Sequence, residues 1–508
     1  MRGFVMGDGL GGETHGYDVS TGYTYGFCRE MAPGWLDFAA RVSGKAVPIA
    51  RDGRRLRFLE LGCGQGQGLC LLAAANPHID FVGVDFMPEH VAHARKVAQA
   101  AALTNLRMEQ ADFVALAEAW PDHFGAFDYV ALHGVYSWVI PQVREALVTC
   151  LAHATVPGSL VYIGYNGQPG WVASGPFRHF AQLIKQTSEL SGLATIDHTA
   201  DLFGRLQSAG AATFKLLPGL AASVNAMKNR NRGYLVHEYL HDSWQAMWHS
   251  EVAQDLARAD LSFTGTATLV EALLPELLPP PLRDTILAQS DPRLRADVQD
   301  FVINQAYRRD LFVRGEAVGG DVAETRVALL AAPGARETLN VRTTFGEMAL
   351  QPPAHAPISA ALSGGSRSVR ELAAAQNRPV GETVKLLLML MHAGTLFPLA
   401  ANGTDSEGAH RLNAVIARGA AEGMPYDHLA APVIGAALPV TGTDLLLLDC
   451  WLLSGEHGDV DSLAEGLLQR LDRLGRKPAE DPDREAKKCA GIFLGQRLAE
   501  WRRLGAIG

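Results

Sequence analysis

The apolar positions of this 508-residue chain follow two regimes. Between residues 57 and 164, short apolar runs alternate with longer stretches of helical character. The runs 57–61, 81–85, 106–110, 127–132 and 160–164 read as short buried strands. The stretches 88–101 and 141–154 place apolar side chains at the 3.6-residue period of a helix packed on a sheet. Strands separated by helices of about 10 to 15 residues need crossover connections, which implies a parallel sheet with helices on both faces. The expected fold class is therefore α/β with a doubly wound, Rossmann-like core.

From about residue 170 to 234 the alternation stops and the pattern is helical throughout. It resumes with a helix at 243–259, a strand from Leu261 and a further edge strand at 309–314. Residues 172–235 are thus expected to be a helical insertion into the sheet domain. A shift to Gly- and Ala-rich sequence over 318–336 marks a boundary, after which 368–375, 381–392 and 395–399 spell helix, turn, helix, strand, as in a winged helix. The second of these helices carries a single lysine, Lys385, in a nearly apolar run. It favours packing or partner docking over reading DNA, which would need several polar or basic side chains. The organisation expected is an N-terminal lid or arm (1–50), the core (51–171), the insertion (172–235), a segment completing the sheet (236–317), and a mostly α middle and C-terminal region (318–508).

Composition narrows the choices. With 48% hydrophobic and 19% charged residues the chain has the apolar content of a folded protein. A net charge of -9 argues against nucleic acid as a partner, because non-specific affinity for phosphates comes from massed Lys and Arg. Six scattered cysteines form no C-x-x-C pair and no metal-like spacing, so neither a disulfide framework nor a bound metal is expected. No apolar window reaches membrane-span length, and the most apolar one, 445–453, contains Asp449. These features lead us to expect a soluble cytoplasmic protein.

The chemistry is concentrated after the first strand. Leu59-Glu60-Leu61-Gly62-Cys63-Gly64-Gln65-Gly66 puts a carboxylate two residues before glycines at every second position, where the strand turns into a helix. Such glycines let the backbone approach a ligand, and the helix start offers free N–H groups. A dinucleotide fingerprint would need glycine at position 67, where Gln67 stands. Glu60 would repel a pyrophosphate and suits a ligand bearing an amine. S-adenosylmethionine has that amine and a sulfonium. Asp85 ends the second strand, where an acid can accept from ribose hydroxyls, and Asp112 follows the third, where one can accept from an adenine amino group.

Glu60 to Gly66 with Asp85 and Asp112 resembles the signature of class I S-adenosylmethionine-dependent methyltransferases. His133-Gly-Val-Tyr-Ser-Trp-Val139, Tyr165-Asn-Gly-Gln-Pro-Gly-Trp171 and Tyr234-Leu-Val-His-Glu-Tyr-Leu240 are similar to segments of a bacterial group that carries a methyltransferase regulatory domain. That group includes protein lysine methyltransferases, so the resemblance implies a Rossmann-like core joined to further domains and a methyl acceptor that is a protein lysine amine. A small-molecule acceptor of secondary or envelope metabolism fits the same residues. The head, from Tyr17 to Pro33, departs from the lysine methyltransferase pattern.

The cofactor is expected to meet Glu60, Gly62, Cys63, Gly64, Gly66, Asp85, Phe86, Asp112, Phe113 and His133. His133, Tyr136, Asn166 and Trp171 are the candidates for catalysis. Methyl transfer to an amine needs alignment, exclusion of water and a neutral nucleophile, and aromatic faces stabilise cationic groups. For Trp171 and Trp138, packing beneath loops is the competing reading, and for His133 a structural hydrogen bond to backbone. His237 and Glu238 suit helix packing. Tyr17, Tyr23 and Tyr25 belong to a head that folds over the cofactor as a lid or docks elsewhere, and the inserted helices would supply the interface of a homodimer.

Overall fold

The computed structural model describes residues 25–49, 53–227, 232–316, 319–331, 337–399, 405–476 and 480–508. Seven strands make one sheet: β1 (Leu56–Leu61), β2 (Ile79–Asp85), β3 (Leu106–Gln110), β4 (Phe127–His133), β5 (Thr155–Asn166), β6 (Leu261–Thr266) and β7 (Tyr307–Arg314), in the order β3-β2-β1-β4-β5-β7-β6. The first five run parallel, and β7 is antiparallel to both β5 and β6. Because helices cover both faces, the central strands are apolar nearly throughout rather than alternating. Strand order reverses between β1 and β4, and that switch opens a crevice at the carboxyl end of β1, where ligands of such sheets bind.

Alternate side chains feed two cores. Phe58, Phe81, Tyr129 and Tyr162 face α1 (Pro33–Val42), α2 (Gln67–Ala75) and α3 (Pro88–Ala100). Leu59, Leu61, Val82, Val130 and Ile163 face α4 (Phe113–Glu118) and α5 (Pro141–Ala154). The strand expected at the edge over 309–314 is instead interior, flanked by β5 and β6, with Asp310 to Val313 all buried. The edge strand is β6.

Among the described residues, six α-helices stand between β5 and β6: His249–Ala257, which leads into β6, and before it Gly175–Thr187, Gly192–Ser208, Ala212–Leu216, Pro218–Met227 and Arg232–Leu240. These first five form the insertion. They close around their own cluster of Phe177, Phe203, Leu220 and Tyr239, so the helical excursion runs to Leu240 rather than ending at 235. A second excursion, Pro280–Leu287 and Pro292–Ile303, separates β6 from β7.

In the C-terminal part, helices Val369–Ala375 and Val380–His392 lead into a strand, Leu396–Pro398, that pairs antiparallel with Arg326–Leu329. The second helix buries Val384, Leu387, Leu390 and Met391, which gives its apolar run a packing role. The next helix, Glu407–Ala421, lies against α2 and α3. Asn76 on the core donates through Nδ2 to the Gly435 carbonyl at 2.8 Å, and His93 Nε2 lies 3.0 Å from the Tyr426 hydroxyl. One apolar cluster runs unbroken from α1 and α2 to Trp451 and Trp501. No helix among the described residues is long and apolar enough to cross a membrane.

Candidate functional site

The loop 62–66 turns β1 into α2 with all three glycines in the left-handed region, at φ +79, +53 and +71 for Gly62, Gly64 and Gly66. A Cβ on Gly62 would fall 2.4 Å from Val135 Cγ2, and one on Gly66 2.4 Å from Ala94 Cβ, so neither conformation nor space admits a side chain. The loop is strapped to β2. The Val84 carbonyl accepts from the Gly62 and Cys63 N–H groups at 2.8 and 3.1 Å, and Asp85 Oδ2 accepts from Gly64 N–H at 2.8 Å. The other Asp85 oxygen accepts from Met87 N–H at 3.0 Å and lies 3.1 Å from His90 Nδ1.

Beside this loop is a cavity of about 290 Å³, walled by the glycines, Glu60, His133 and the segment from Tyr25 to Met31. Glu60 is 7% exposed and, among the described residues, its Oε2 has no hydrogen-bond partner. Burial, reinforced by the charge of Asp85, pushes the Glu60 carboxyl up to about 8. A buried acid left without a donor is costly, so this wall is short of a cation.

His133 ends β4 on the opposite wall. Its Nδ1 lies 2.8 Å from the Tyr162 hydroxyl, on which the ring also stacks, and 3.5 Å from that of Tyr307. Burial and the nearby charge of Arg309 lower the imidazole to about 4, which keeps it neutral near pH 7. Cys28 donates to Glu30 Oε2 at 3.2 Å and lies 3.6 Å from the Tyr162 hydroxyl. Burial and Glu30 push its thiol up to about 12, so it is no thiolate. Glu30 is half-buried, but Arg309 and Arg29 outweigh the cost of that burial and hold it below the usual carboxylate range. The head is fastened here by Tyr25, which packs edge-on against His93 and Tyr426. Tyr17 and Tyr23 lie outside the described residues.

Glu60, Gly62, Cys63, Gly64, Gly66 and His133 therefore share one cavity, while other expected residues sit elsewhere. Tyr136 is a correction: it is fully buried in the core against α5, and its hydroxyl donates to Asp255 at 2.8 Å. Asn166 is also buried, with Nδ2 3.4 Å from Glu238 Oε1 and its backbone N–H on Ser137 Oγ. Trp171 donates through Nε1 to the Ala306 carbonyl and meets Trp244 edge-on at 4.7 Å, away from the glycine loop. Trp138 packs edge-on to His241. Asp112 caps α4, one oxygen accepting from Val114 and Ala115 N–H groups, and Phe113 belongs to the core. Phe86 is half-buried just past β2. The side chain of His237 is outside the described set, and Glu238 is buried.

Tyr162, Tyr307, Cys28, Glu30 and Arg309 gather around His133 without having been expected there. Only Tyr162 left a trace in the sequence, since strand alternation sets it on the face opposite Val161 and Ile163. Tyr307 reaches His133 across 174 positions, which no local pattern encodes.

Comparison with known proteins shows the class of enzyme. The family described as "Methyltransferase domain" matches residues 52–197, and the "Predicted methyltransferase regulatory domain" matches 231–314. This chain is an S-adenosylmethionine-dependent methyltransferase. An uncharacterized protein of Synechocystis is 29% identical to this methyltransferase over 96% of this chain and 99% of its own length. A tRNA (guanine-N(7)-)-methyltransferase of Rubrobacter xylanophilus is 36% identical over 75 residues, 15% of this chain and 34% of that protein. The structure of PKMT2 from Rickettsia typhi in complex with AdoHcy shares the fold, with a TM-score of 0.69 over 95% of this chain and 99% of that one at 15% identity. The cavity fits the cofactor, because the buried carboxyl of Glu60, whose Oε2 has no partner among the described residues, suits an amine-bearing ligand, and the start of α2, with N–H groups that have no helical partner, lines the same cavity.

Proposed function

We propose that this methyltransferase acts on the side-chain amines of protein lysines. The observation that carries this reading is the shared fold with PKMT2, a protein lysine methyltransferase, over 95% of this chain, which takes in the helical excursions and C-terminal half as well as the methyltransferase core. When bound, S-adenosylmethionine supplies a methyl group on a sulfonium, open to in-line displacement. Glu60 receives the cofactor's ammonium and ionises as it does so, and the N–H groups that the first turn of α2 leaves without a helical partner hold the adjoining carboxylate. Asp85 and Asp112, with Phe86 and Phe113 beside them, are assigned the ribose and the base at the next two strand ends.

A lysine amine must lose its proton before it attacks. A site walled by neutral His133 and the segment from Tyr25 to Met31 disfavours the charged ammonium by desolvation, so the amine leaves its proton to solvent as it enters and meets His133 as an uncharged neighbour. Tyr162 and Tyr307 hold that imidazole in place. Tyr136, Asn166 and Trp171, tied to Asp255, Glu238 and Ala306, brace the acceptor side of the sheet edge instead of touching the reacting atoms.

The test is transfer of a labelled methyl group from S-adenosylmethionine into a lysate of the source organism, fractionated into protein and small molecules. We expect base-stable label in protein, recovered as methyllysine after hydrolysis and missing with Glu60→Gln. Label confined to the extractable small molecules would overturn the lysine assignment in favour of a metabolite acceptor.

A further inference from the structure

A second cavity, of about 420 Å³, lies between the loop after β5 and the first inserted helix, Gly175–Thr187. Its wall includes Gln168, Trp171, Arg178, Gln182 and Trp244. The two indoles meet edge-on at 4.7 Å, and the Arg178 guanidinium lies 5.2 Å from the Trp244 ring centroid. Three polar atoms in this wall are buried without a partner among the described residues: Arg178 Nε, Trp244 Nε1 and Gln168 Oε1. Two of them are donors.

Arg178 is otherwise held by neutral groups. Its Nη2 donates to the His241 carbonyl at 2.6 Å and its Nη1 to Gln182 Oε1 at 3.4 Å, and among the described residues no carboxylate pairs with it. Asp242 and Glu238 act on it only through space, while Asp242 itself pairs with Lys185. A half-buried guanidinium beside an idle indole N–H is a receptor for an oxyanion, since a carboxylate would satisfy both donors with charge-assisted bonds. A short run of contacts links this cavity to His133. Trp171 Nε1 is bonded to the Ala306 carbonyl, and the next residue, Tyr307, places its hydroxyl 3.5 Å from His133.

We propose that this cavity is a docking subsite for the protein acceptor and takes the carboxylate of an acidic residue that flanks the methylated lysine. The proposal rests on the reading of the enzyme as a protein lysine methyltransferase. Arg178 and Trp244 then select the acceptor without touching the transferred methyl group, and Trp171 provides the apolar floor.

The test uses the full-length enzyme, labelled S-adenosylmethionine and two pools of short lysine-centred peptides, one with Asp and Glu at the flanking positions and one with Asn and Gln. The wild type should methylate the acidic pool at a KM about tenfold lower than the amide pool, the scale of a lost charge-assisted bond. Arg178→Gln and Trp244→Phe should erase that preference while kcat on the amide pool and affinity for the cofactor stay as in the wild type. Trp244→Phe keeps an aromatic ring there, smaller than the indole, removes the N–H and leaves the Arg178 bond to His241 in place, so it answers for any local disturbance caused by losing that bond. Equal use of both pools by the wild type would overturn the subsite. Binding of fluorescently tagged pools is read in parallel by anisotropy. If no pool is methylated, the lysine reading fails. The subsite then stands if the acidic pool still binds more tightly and Arg178→Gln abolishes the difference, and falls if the two pools bind alike.

Discussion

Two carboxylates buried in the same sheet, Asp310 on β7 and Glu60 on β1, have opposite surroundings. Asp310 accepts from the Tyr165 hydroxyl at 2.6 Å, from His249 Nδ1 at 2.9 Å and from Arg308 Nε at 2.9 Å. Burial works against its ionisation, but Arg308 and His249 outweigh it and hold the carboxyl down at about 2. Glu60 keeps one oxygen unpartnered and is pushed up to about 8 by burial and by Asp85. The first acid is completed by its own chain and belongs to the scaffold. The second is left incomplete by the described residues at the wall of a cavity, as a group kept for a ligand would be.

The largest effect is expected from disturbing the complete partner set. Asp310→Asn leaves Arg308 facing only Asp300 in a buried site and should lower unfolding stability by about 3–5 kcal/mol, read from chemical denaturation, with the cofactor cavity intact in whatever remains folded. Glu60→Gln should do the reverse. It removes a buried carboxyl whose Oε2 no described residue satisfies, so stability holds or rises, whereas calorimetry should show cofactor affinity falling by about 2–3 kcal/mol. Gly66→Ala forces a Cβ toward Ala94 in a left-handed backbone and should cost about 1–3 kcal/mol of stability together with some affinity. The smallest effect belongs to Tyr162→Phe, which takes away the 2.8 Å partner of His133 Nδ1. We expect kcat to fall by about 1 kcal/mol in barrier and the pH profile of kcat to shift, with little change in cofactor affinity.

The two acids also part company in pH. Asp310 has its folded pKa depressed, so the stability it contributes is present above the ordinary carboxylate range and is lost as pH falls through about 2. Glu60 has its folded pKa raised, so the unliganded protein draws full stability from it only below the ordinary range and loses that stability as pH rises through about 8. Thermal melts of the unliganded wild type and Glu60→Gln should therefore diverge toward alkaline pH. Melts that stay parallel would place Glu60 in a partnered site like that of Asp310.

This contrast also explains what could be read before the fold was known. The β1 loop is local: Glu60, three glycines and the Asp85 that straps Gly64 lie within 26 residues, and strand alternation with left-handed glycines marks them. The helix 141–154 was likewise legible to the residue, because its period and its packing agree. The acceptor side is assembled from distant parts. Tyr165 closes on Asp310 across 145 positions and Tyr136 on Asp255 across 119. An aromatic at a strand end looks the same in sequence whether it faces a cavity or a buried acid, so Tyr136 and Asn166 read as site residues when their partners lie in the regulatory segment. For the same reason β7 read as an edge strand, since the strand that covers it, β6, belongs to a part of the chain reached only after the helical excursion.

The decisive measurement is calorimetric titration of S-adenosylmethionine into the wild type and Glu60→Gln from about pH 6 to about pH 9, in buffers of differing ionisation heat. The amine of the ligand titrates identically in both, so only the difference between the proteins reports on Glu60. We expect wild-type binding below about pH 8 to release a proton that the variant does not release, and the affinity gap between them to widen as pH rises toward 8. Equal affinities with equal proton release at every pH would contradict the assignment of Glu60 as the group that the cofactor completes.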